Sequence, residues 1–361
     1  MLKILTVIGA RPQFIKASAV SRVIEEEYRG NVQEVLLHTG QHYDLNMSQV
    51  FFDDLRIPKP AYNLEVFGGG HGAMTGRMLE GIENILQDEK PDWILVYGDT
   101  NSTLAGALAG AKLHIPVAHV EAGLRSYNMR MPEEVNRVIA DKLSSLLFCP
   151  TSDAVTNLKD EGISEGVHMV GDVMYDVALN TKSDVLAQQS HLLKKYAVAE
   201  GGFVLATCHR AENTDDLDRL QAICKALGRI AASISVILPL HPRTRNIVIE
   251  NNFMPLLDGV QIVDPLPFFE MSALVQSAKV IVTDSGGVQK EAFFFGTPCV
   301  TMRDETEWKE TIDLGWNVLA GADSEVIYTQ VFAAKNGEIN QFPYGDGHAG
   351  RLIVERMLRR D

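Results

Sequence analysis

The chain has no apolar run approaching the ~20 residues a helix needs to span a bilayer. It is poor in cysteine. Its four, Cys149, Cys208, Cys224 and Cys299, lie far apart with no CxxC pair, which reads as reduced core thiols of a cytoplasmic protein. It carries neither HExxH nor a Cys/His cluster, so no metal is expected. No GxGxxG follows the first strand, which speaks against a bound nicotinamide dinucleotide. No leader is read at the start, because Met1-Leu2-Lys3 runs directly into a strand. Cations are scarce: 33 Lys and Arg against 47 Asp and Glu give a formal net charge of −14. That balance argues against nucleic acid or an anionic membrane surface as the main partner. It leaves room for an anionic small ligand held by a few clustered Arg and Lys.

What is present is the content of a globular protein, 46% hydrophobic and 7% aromatic. At 361 residues the chain exceeds what one core usually spans, so two domains are expected. Short apolar runs alternate with helical patterns. Lys3 to Ile8, Val35 to His38, Trp93 to Tyr97, Val117 to Val120 and Leu146 to Cys149 read as strands of a first parallel sheet. The rhythm restarts after a polar stretch, with Phe203 to Thr207, Ser235 to Pro239, Gln261 to Val263, Val280 to Val282 and Cys299 to Met302. The expected organisation is α/β: a doubly wound domain over 1–179 and a second over 180–345. A closing segment, 346–361, is expected to form a helix packing back across the junction.

In open parallel sheets, ligands sit beyond the carboxyl ends of the strands. Val280-Ile281-Val282 runs into Thr283-Asp284-Ser285-Gly286-Gly287, and Gln289 to Phe295 reads as the helix that follows. A strand, a Ser-Gly-Gly turn and a helix N-terminus make an anion site, because free backbone N–H groups and the helix dipole favour phosphate. Glu291, one turn in, suits a ribose diol, and together they suggest a nucleoside diphosphate. An ordinary turn with a capping serine explains the same residues.

Three carboxylates stand out in the first half: Asp99 after Trp93 to Tyr97, Glu121 after Val120, and Glu133 at the helix start opened by Pro132. Carboxylates at adjacent strand ends can share a site and supply an acid and a base near neutral pH. Each also has a plain explanation: an Asp99 N-cap, a Glu121–Arg125 pair, a helix-start Glu133. The candidate cations are Arg11 and Lys16 after the first strand, then His209, Arg210, His241 and Arg243 after strands of the second half, with Arg303 after Cys299 to Met302. Arg11 offers a planar donor fork to a diphosphate. His209 suits a β-phosphate leaving group or a structural hydrogen bond equally. His38, His114, His119 and His168 show no partner spacing and read as core or surface residues.

Gly9-Ala10-Arg11-Pro12 with Lys16, Thr39-Gly40-Gln41-His42, Gly98-Asp99-Thr100, His119 to Arg125, Pro132 to Arg137, His209 to Asn213, Asp284 to Glu291 and Pro343 to Gly347 together resemble the non-hydrolysing UDP-N-acetylglucosamine 2-epimerases, in order along the whole chain. The resemblance implies the GT-B fold, two Rossmann-like domains facing a cleft. It implies inversion at C2 of a UDP-linked 2-acetamido sugar without NAD, through loss of UDP to a 2-acetamidoglycal and its re-addition. Carried over by motif, Asp99, Glu121 and Glu133 would be the acid/base and intermediate-stabilising carboxylates. His209 and Arg11 would hold the departing diphosphate, Ser285, Gly286 and Gly287 would bind phosphate, and Glu291 the ribose. No cofactor is implied, and a homodimer is expected.

The resemblance leaves the substrate open between UDP-N-acetylglucosamine and UDP-2,3-diacetamido-2,3-dideoxyglucuronic acid. The link Ser126 to Met131 with Arg130, the stretch Phe67 to Gly72, Asp44, and Phe293 to Cys299 look more like the second branch. Arg130 would then face the sugar carboxylate. A GT-B glycosyltransferase would share the UDP site but needs only one catalytic carboxylate, and a hydrolysing epimerase would release free sugar.

Overall fold

Runs of β-branched and aliphatic residues buried on both faces form two all-parallel sheets, as such composition requires. The computed structural model describes residues 1–41, 55, 57–338 and 342–359. His42 and Asp44 of the sequence motifs lie outside the described residues. The chain divides into two units, Met1–Asn180 with Phe342–Asp361, and Thr181–Gln341.

In the first unit, β1 (Leu2–Ile8), β2 (Val32–His38), β3 (Tyr62–Asn63), β4 (Trp93–Tyr97), β5 (Val117–Val120), β6 (Leu146–Cys149) and β7 (Val167–Met169) are ordered β3-β2-β1-β4-β5-β6-β7. Strand order therefore reverses between β1 and β4, whose register pairs Val7 with Val96. One face of this sheet is sealed by Leu5, Val7, Leu37, Ile94 and Val96 against Met78 and Ile82 of the helix His71–Glu89 and Ala105 and Ala109 of the helix Asn101–Lys112. On the other side, the helices Arg11–Glu27, Val173–Asn180 and Ala349–Leu358 pack on one another.

The second unit repeats the plan in different residues. β8 (Phe203–Thr207), β9 (Ser235–Pro239), β10 (Val260–Val263), β11 (Val280–Thr283), β12 (Cys299–Thr301) and β13 (Asn317–Leu319) are ordered β10-β9-β8-β11-β12-β13. Alternate residues of β8 and β11 face opposite cores. Val204, Ala206, Val280 and Val282 meet the helices Leu217–Ala231 and Ser324–Ala333. Phe203, Leu205 and Ile281 meet the helices Lys182–Lys195 and Phe268–Ser277. The short strands β3, β7 and β13, of two or three residues each, were not legible in the sequence. All four cysteines are free and buried. Among the described residues no helix is long and apolar enough to cross a membrane.

The closing helix is fastened to the first unit by hydrogen bonds at its N-terminus. Asp176 of the helix Val173–Asn180 accepts from the N–H groups of Ala349 (3.1 Å) and Gly350 (2.8 Å). Asp172 N–H donates to the Tyr344 carbonyl at 2.9 Å, so Phe342–Gly345, expected with the second domain, sit with the first. Burial pushes the Asp176 carboxyl up to about 6 from its ordinary 3.8, with the charge of Asp172 adding and the two N–H donors opposing. The folded chain thus holds a proton there that the unfolded chain releases, and stability falls as pH rises between these values. Replacing Asp176 with Asn removes the titration. Between pH 4 and pH 7 the variant gains about 2 kcal/mol on the wild type, from the cost of ~1.36 kcal/mol per unit. Denaturant titrations of both proteins across that range check the sign and size.

Candidate active site

Both reversal points carry polar loops at the carboxyl ends of their central strands, where doubly wound sheets bind ligands. In the first unit the loop after β1 is tied to β4 by Gln13. Its Oε1 accepts from Gly9 N–H (2.8 Å) and Ala10 N–H (3.0 Å), and its Nε2 donates to the Tyr97 carbonyl (2.9 Å) and Thr103 Oγ1 (3.1 Å). That buried amide sets the start of the helix Arg11–Glu27, from which Arg11 and Lys16 project.

Lys16 Nζ forms an ion pair with Glu121 Oε2, both largely buried. Glu121 is held in the left-handed backbone region at φ +70°, an unfavourable conformation for a residue with a Cβ. Beside it Gly98 is also left-handed, at φ +63°, and a Cβ there would lie 3.1 Å from both Glu121 Oε2 and Lys16 Nζ. Glycine at 98 is thus what lets the Lys16–Glu121 pair sit on the end of β4. The sequence offered Arg125 as a partner for Glu121; in the structure Lys16 takes that place. Arg125 grips Asp141 (2.7 Å) and, in a two-point fork, Glu161 (2.6 and 2.9 Å).

The helix Pro132–Leu143 organises the rest. Its buried side is polar: Glu134, Asn136, Arg137 and Asp141 with only Ala140 among them apolar. Arg137 Nη2 pairs with Asp99, and Asn136 Nδ2 donates to the Asp99 carbonyl at 2.9 Å. Asp99 is therefore not a helix cap; the cap of the next helix is Thr100, whose Oγ1 accepts from Thr103 N–H. Glu134 accepts from Ser126 N–H (2.9 Å) and Tyr127 N–H (2.8 Å) and from Arg137 (3.0 Å), fixing the start of the loop that carries the exposed Arg130. Asp141 reaches back to His119 and Gly123 N–H. Glu133, in the first turn, is half-buried and makes no hydrogen bond or ion pair among the described residues.

In the second unit a single buried carboxylate holds the loop after β8. Asp284 follows β11, is wholly buried, and accepts from the N–H groups of His209 and Arg210 (each 2.9 Å) and from Asn213 Nδ2 (3.3 Å). The His209 ring stays half-exposed, its Nδ1 3.4 Å from Asp284. His241 lies at the start of the helix Pro242–Glu250, where its Nδ1 accepts from Arg243 N–H at 3.3 Å. Burial lowers its pKa, and the charges of His209 and Arg243 lower it further, so the ring is neutral at pH 7.

The glycine turn is shorter than the sequence suggests: the helix runs Gly286–Phe295, with Ser285 as its cap residue. Ser285 makes no side-chain cap bond. The first N–H groups of that helix have no partner four residues back, the arrangement that favours an anion. A Cβ on Gly286 would come 2.9 Å from the Trp308 indole nitrogen, so only glycine fits against that ring. The Trp308 ring also covers the buried Lys290 ammonium at 3.9 Å. Glu291 lies nine-tenths buried one turn on. Arg303 is wholly buried, with its guanidinium on Glu307 (2.9 Å) and Glu212 (3.3 Å).

Sequence reasoning missed the contacts of Glu134, Asn136, Arg137, Asp141 and His119. The signal was there in part. Glu134, Arg137 and Asp141 stand at i, i+3 and i+7, one face of a helix, where apolar residues usually point to a core.

The family model described as UDP-N-acetylglucosamine 2-epimerase matches residues 25–358. A protein of Pseudomonas aeruginosa named UDP-2,3-diacetamido-2,3-dideoxy-D-glucuronate 2-epimerase is 53% identical, over 99% of this chain and 100% of its own. The crystal structure of Methanocaldococcus jannaschii UDP-GlcNAc 2-epimerase in complex with UDP-GlcNAc and UDP matches with a TM-score of 0.90 at 40% identity, covering 99% of each chain. That of the Neisseria meningitidis UDP-GlcNAc 2-epimerase bound to UDP-GlcNAc matches with a TM-score of 0.90 at 29% identity, over 99% of this chain and 100% of the other. Fold and kinship together define an enzyme of the isomerase class built on the GT-B fold. The chain belongs to the UDP-N-acetylglucosamine 2-epimerase family.

Replacing Asp284 with Ala takes the acceptor from the His209 and Arg210 N–H groups, while Asn213 Nδ2 keeps the Met302 carbonyl at 2.9 Å, and destabilises the protein by about 2–4 kcal/mol, given ~1–3 kcal/mol for each unsatisfied group. Denaturant titration measures the loss. Amide hydrogen exchange shows it concentrated at His209, Arg210 and Asn213.

Proposed function

We propose that this chain inverts C2 of a UDP-linked 2-acetamido sugar by removing UDP and adding it back, without NAD. The observation that carries this reading is the set of carboxylates at the ends of β4 and β5. Asp99 and Glu121 are each gripped by a cation from a helix, Arg137 and Lys16, while Glu133 has no partner among the described residues. The relatives' names and the UDP-GlcNAc in two of their structures support it.

The chemistry needs two kinds of help. A C2 proton is a poor acid, so its removal must be coupled to departure of the C1 oxygen with UDP. Asp99, Glu121 and Glu133 supply the base, the acid for the opposite face, and a negative charge beside the oxocarbenium-like transition state. Arg11 and His209 take up the charge that grows on the β-phosphate, assisted by Lys16 and Arg210. Ser285 and the Gly286 and Gly287 N–H groups bind phosphate at the helix N-terminus. His241, neutral with Nδ1 already accepting a hydrogen bond, keeps Nε2–H as a donor toward the nucleotide. Glu291 takes the ribose hydroxyls. Elimination gives the 2-acetamidoglycal and UDP. Protonation from the other face and return of UDP to C1 give the epimer, so atoms balance with no redox cofactor.

Of the two substrate branches, we assign the UDP-2,3-diacetamido uronate, supported by the identity to the Pseudomonas aeruginosa protein and by Arg130. Its exposed guanidinium, on the loop fixed by Glu134, suits a sugar carboxylate. We further place the enzyme in the cytoplasm as a homodimer supplying polysaccharide synthesis such as O-antigen. Its four free, buried thiols suit a reducing compartment, and sedimentation at twice the chain mass checks the dimer.

Proton NMR in D2O tests the reading, with the uronate in one tube and UDP-N-acetylglucosamine in another. Loss of the C2 proton with growth of the manno epimer is expected, faster for the uronate. Arg130→Met removes that preference by about tenfold or more, the value of one charge-assisted hydrogen bond. Glu133→Gln lowers turnover by about 10²–10⁴-fold with little change in UDP affinity, as loss of acid–base catalysis does. Release of free sugar, or an unchanged sugar with bound UDP, contradicts the proposal.

A further inference from the structure

His119 has no exposure to solvent, yet both of its ring nitrogens are engaged. Nδ1 lies 2.7 Å from Asp141 Oδ1, and Nε2 lies 2.7 Å from the Gly98 carbonyl oxygen. The second contact answers a local need. The left-handed backbone at Gly98 turns its carbonyl out of the parallel ladder, although its N–H still donates to the Val120 carbonyl at 2.9 Å. A buried carbonyl so turned needs a donor, and the His119 ring is the group that provides it. The next residue in the chain is Asp99.

Asp141 works on the following strand end as well. Its Oδ2 accepts from Gly123 N–H at 3.1 Å and from Arg125 Nη1 at 2.7 Å, two and four residues past Glu121. Burial alone would raise its pKa, but the hydrogen bonds and charges of His119 and Arg125 hold it below the ordinary value. A carbonyl can only accept, so the Gly98 contact assigns N–H to Nε2, and His119 closes into a cluster with Asp141, Arg125 and Glu161.

We propose that His119 and Asp141 are the positioning pair of the active site: one buried contact holds the Gly98 carbonyl, and with it Asp99, while its other end holds the Gly123 loop, and with it Glu121. The pair touches no substrate. It sets the separation of two carboxylates that serve one reacting centre, where a misplacement of ~1 Å costs on the order of 10²-fold in rate. The inference rests on the reading of Asp99 and Glu121 as catalytic groups.

Two measurements on the full chain test it. In 15N NMR, Nε2 of His119 carries a proton, and the Asp99 amide resonance moves in His119→Gln. In D2O with saturating UDP-sugar, His119→Leu loses about 10²-fold in C2 proton exchange while UDP affinity holds within about twofold, a loss in kcat rather than in ground-state binding. His119→Gln keeps a donor toward the Gly98 carbonyl and recovers about tenfold of that loss; it also serves if the Leu variant does not fold. A ring with no proton on Nε2, an unmoved Asp99 amide, wild-type exchange in both variants, or a loss lying wholly in UDP affinity overturns the proposal. If the wild type itself exchanges no C2 proton, the proposed reaction fails, and the Asp99 amide alone decides the positioning.

Discussion

The buried carboxylate of Asp141 is the constraint on which the first unit's site depends. Charge taken out of water is costly unless it is paired and fully hydrogen-bonded. Asp141 meets that condition with a ring nitrogen, a guanidinium and a backbone N–H. Removing one partner of such a cluster costs about 3–5 kcal/mol, because the others are left buried and uncompensated. The geometry is therefore rigid where it matters. Loops after β4 and β5, which would otherwise wander, are pinned to one helix.

The second unit solves the same problem with the same kind of residue. Asp284 is buried at the end of β11 and holds the loop after β8 through two backbone N–H groups and an amide. Each unit thus uses one sealed aspartate to fix a polar loop at the carboxyl end of a strand. The groups left for a ligand differ: carboxylates in the first unit, a half-exposed His209 and a helix N-terminus in the second. This division fits a reaction in which proton transfer occurs at the sugar and charge develops on a diphosphate. Neither unit shows that division in its topology, which is alike in both.

The alternation of buried strands and helices was plain in the sequence, because strands sealed on both faces leave unbroken runs such as Ile94-Leu95-Val96 and Val280-Ile281-Val282. Strands of two or three residues leave no such run, and β3, β7 and β13 take their structure from pairing with a neighbour. The loops after the strands were legible as polar clusters, and Asp99, Glu121, His209 and Ser285 all stand in them. Their supports were not. Gln13, His119 and Asp141 act through partners 84, 21 and 22 residues away, distances at which spacing carries no signal. Arg303 shows a further partner that spacing did not give: a cation after a strand reads as an anion ligand, and in the structure its guanidinium lies on Glu307 and Glu212.

If the pinned carboxylates drive elimination and re-addition, the bond between C1 and the diphosphate must break in every turnover. Positional isotope exchange reads that event directly. A UDP-sugar substrate is prepared with 18O in the bridge between C1 and the β-phosphorus. Breaking the bond frees the β-phosphate to rotate, and re-addition leaves label in a non-bridging position. Scrambling at least as fast as epimerisation is the predicted result. Epimerisation with the label held in the bridge would contradict elimination and re-addition, and with it the proposed roles of the carboxylates and of the phosphate-binding turn.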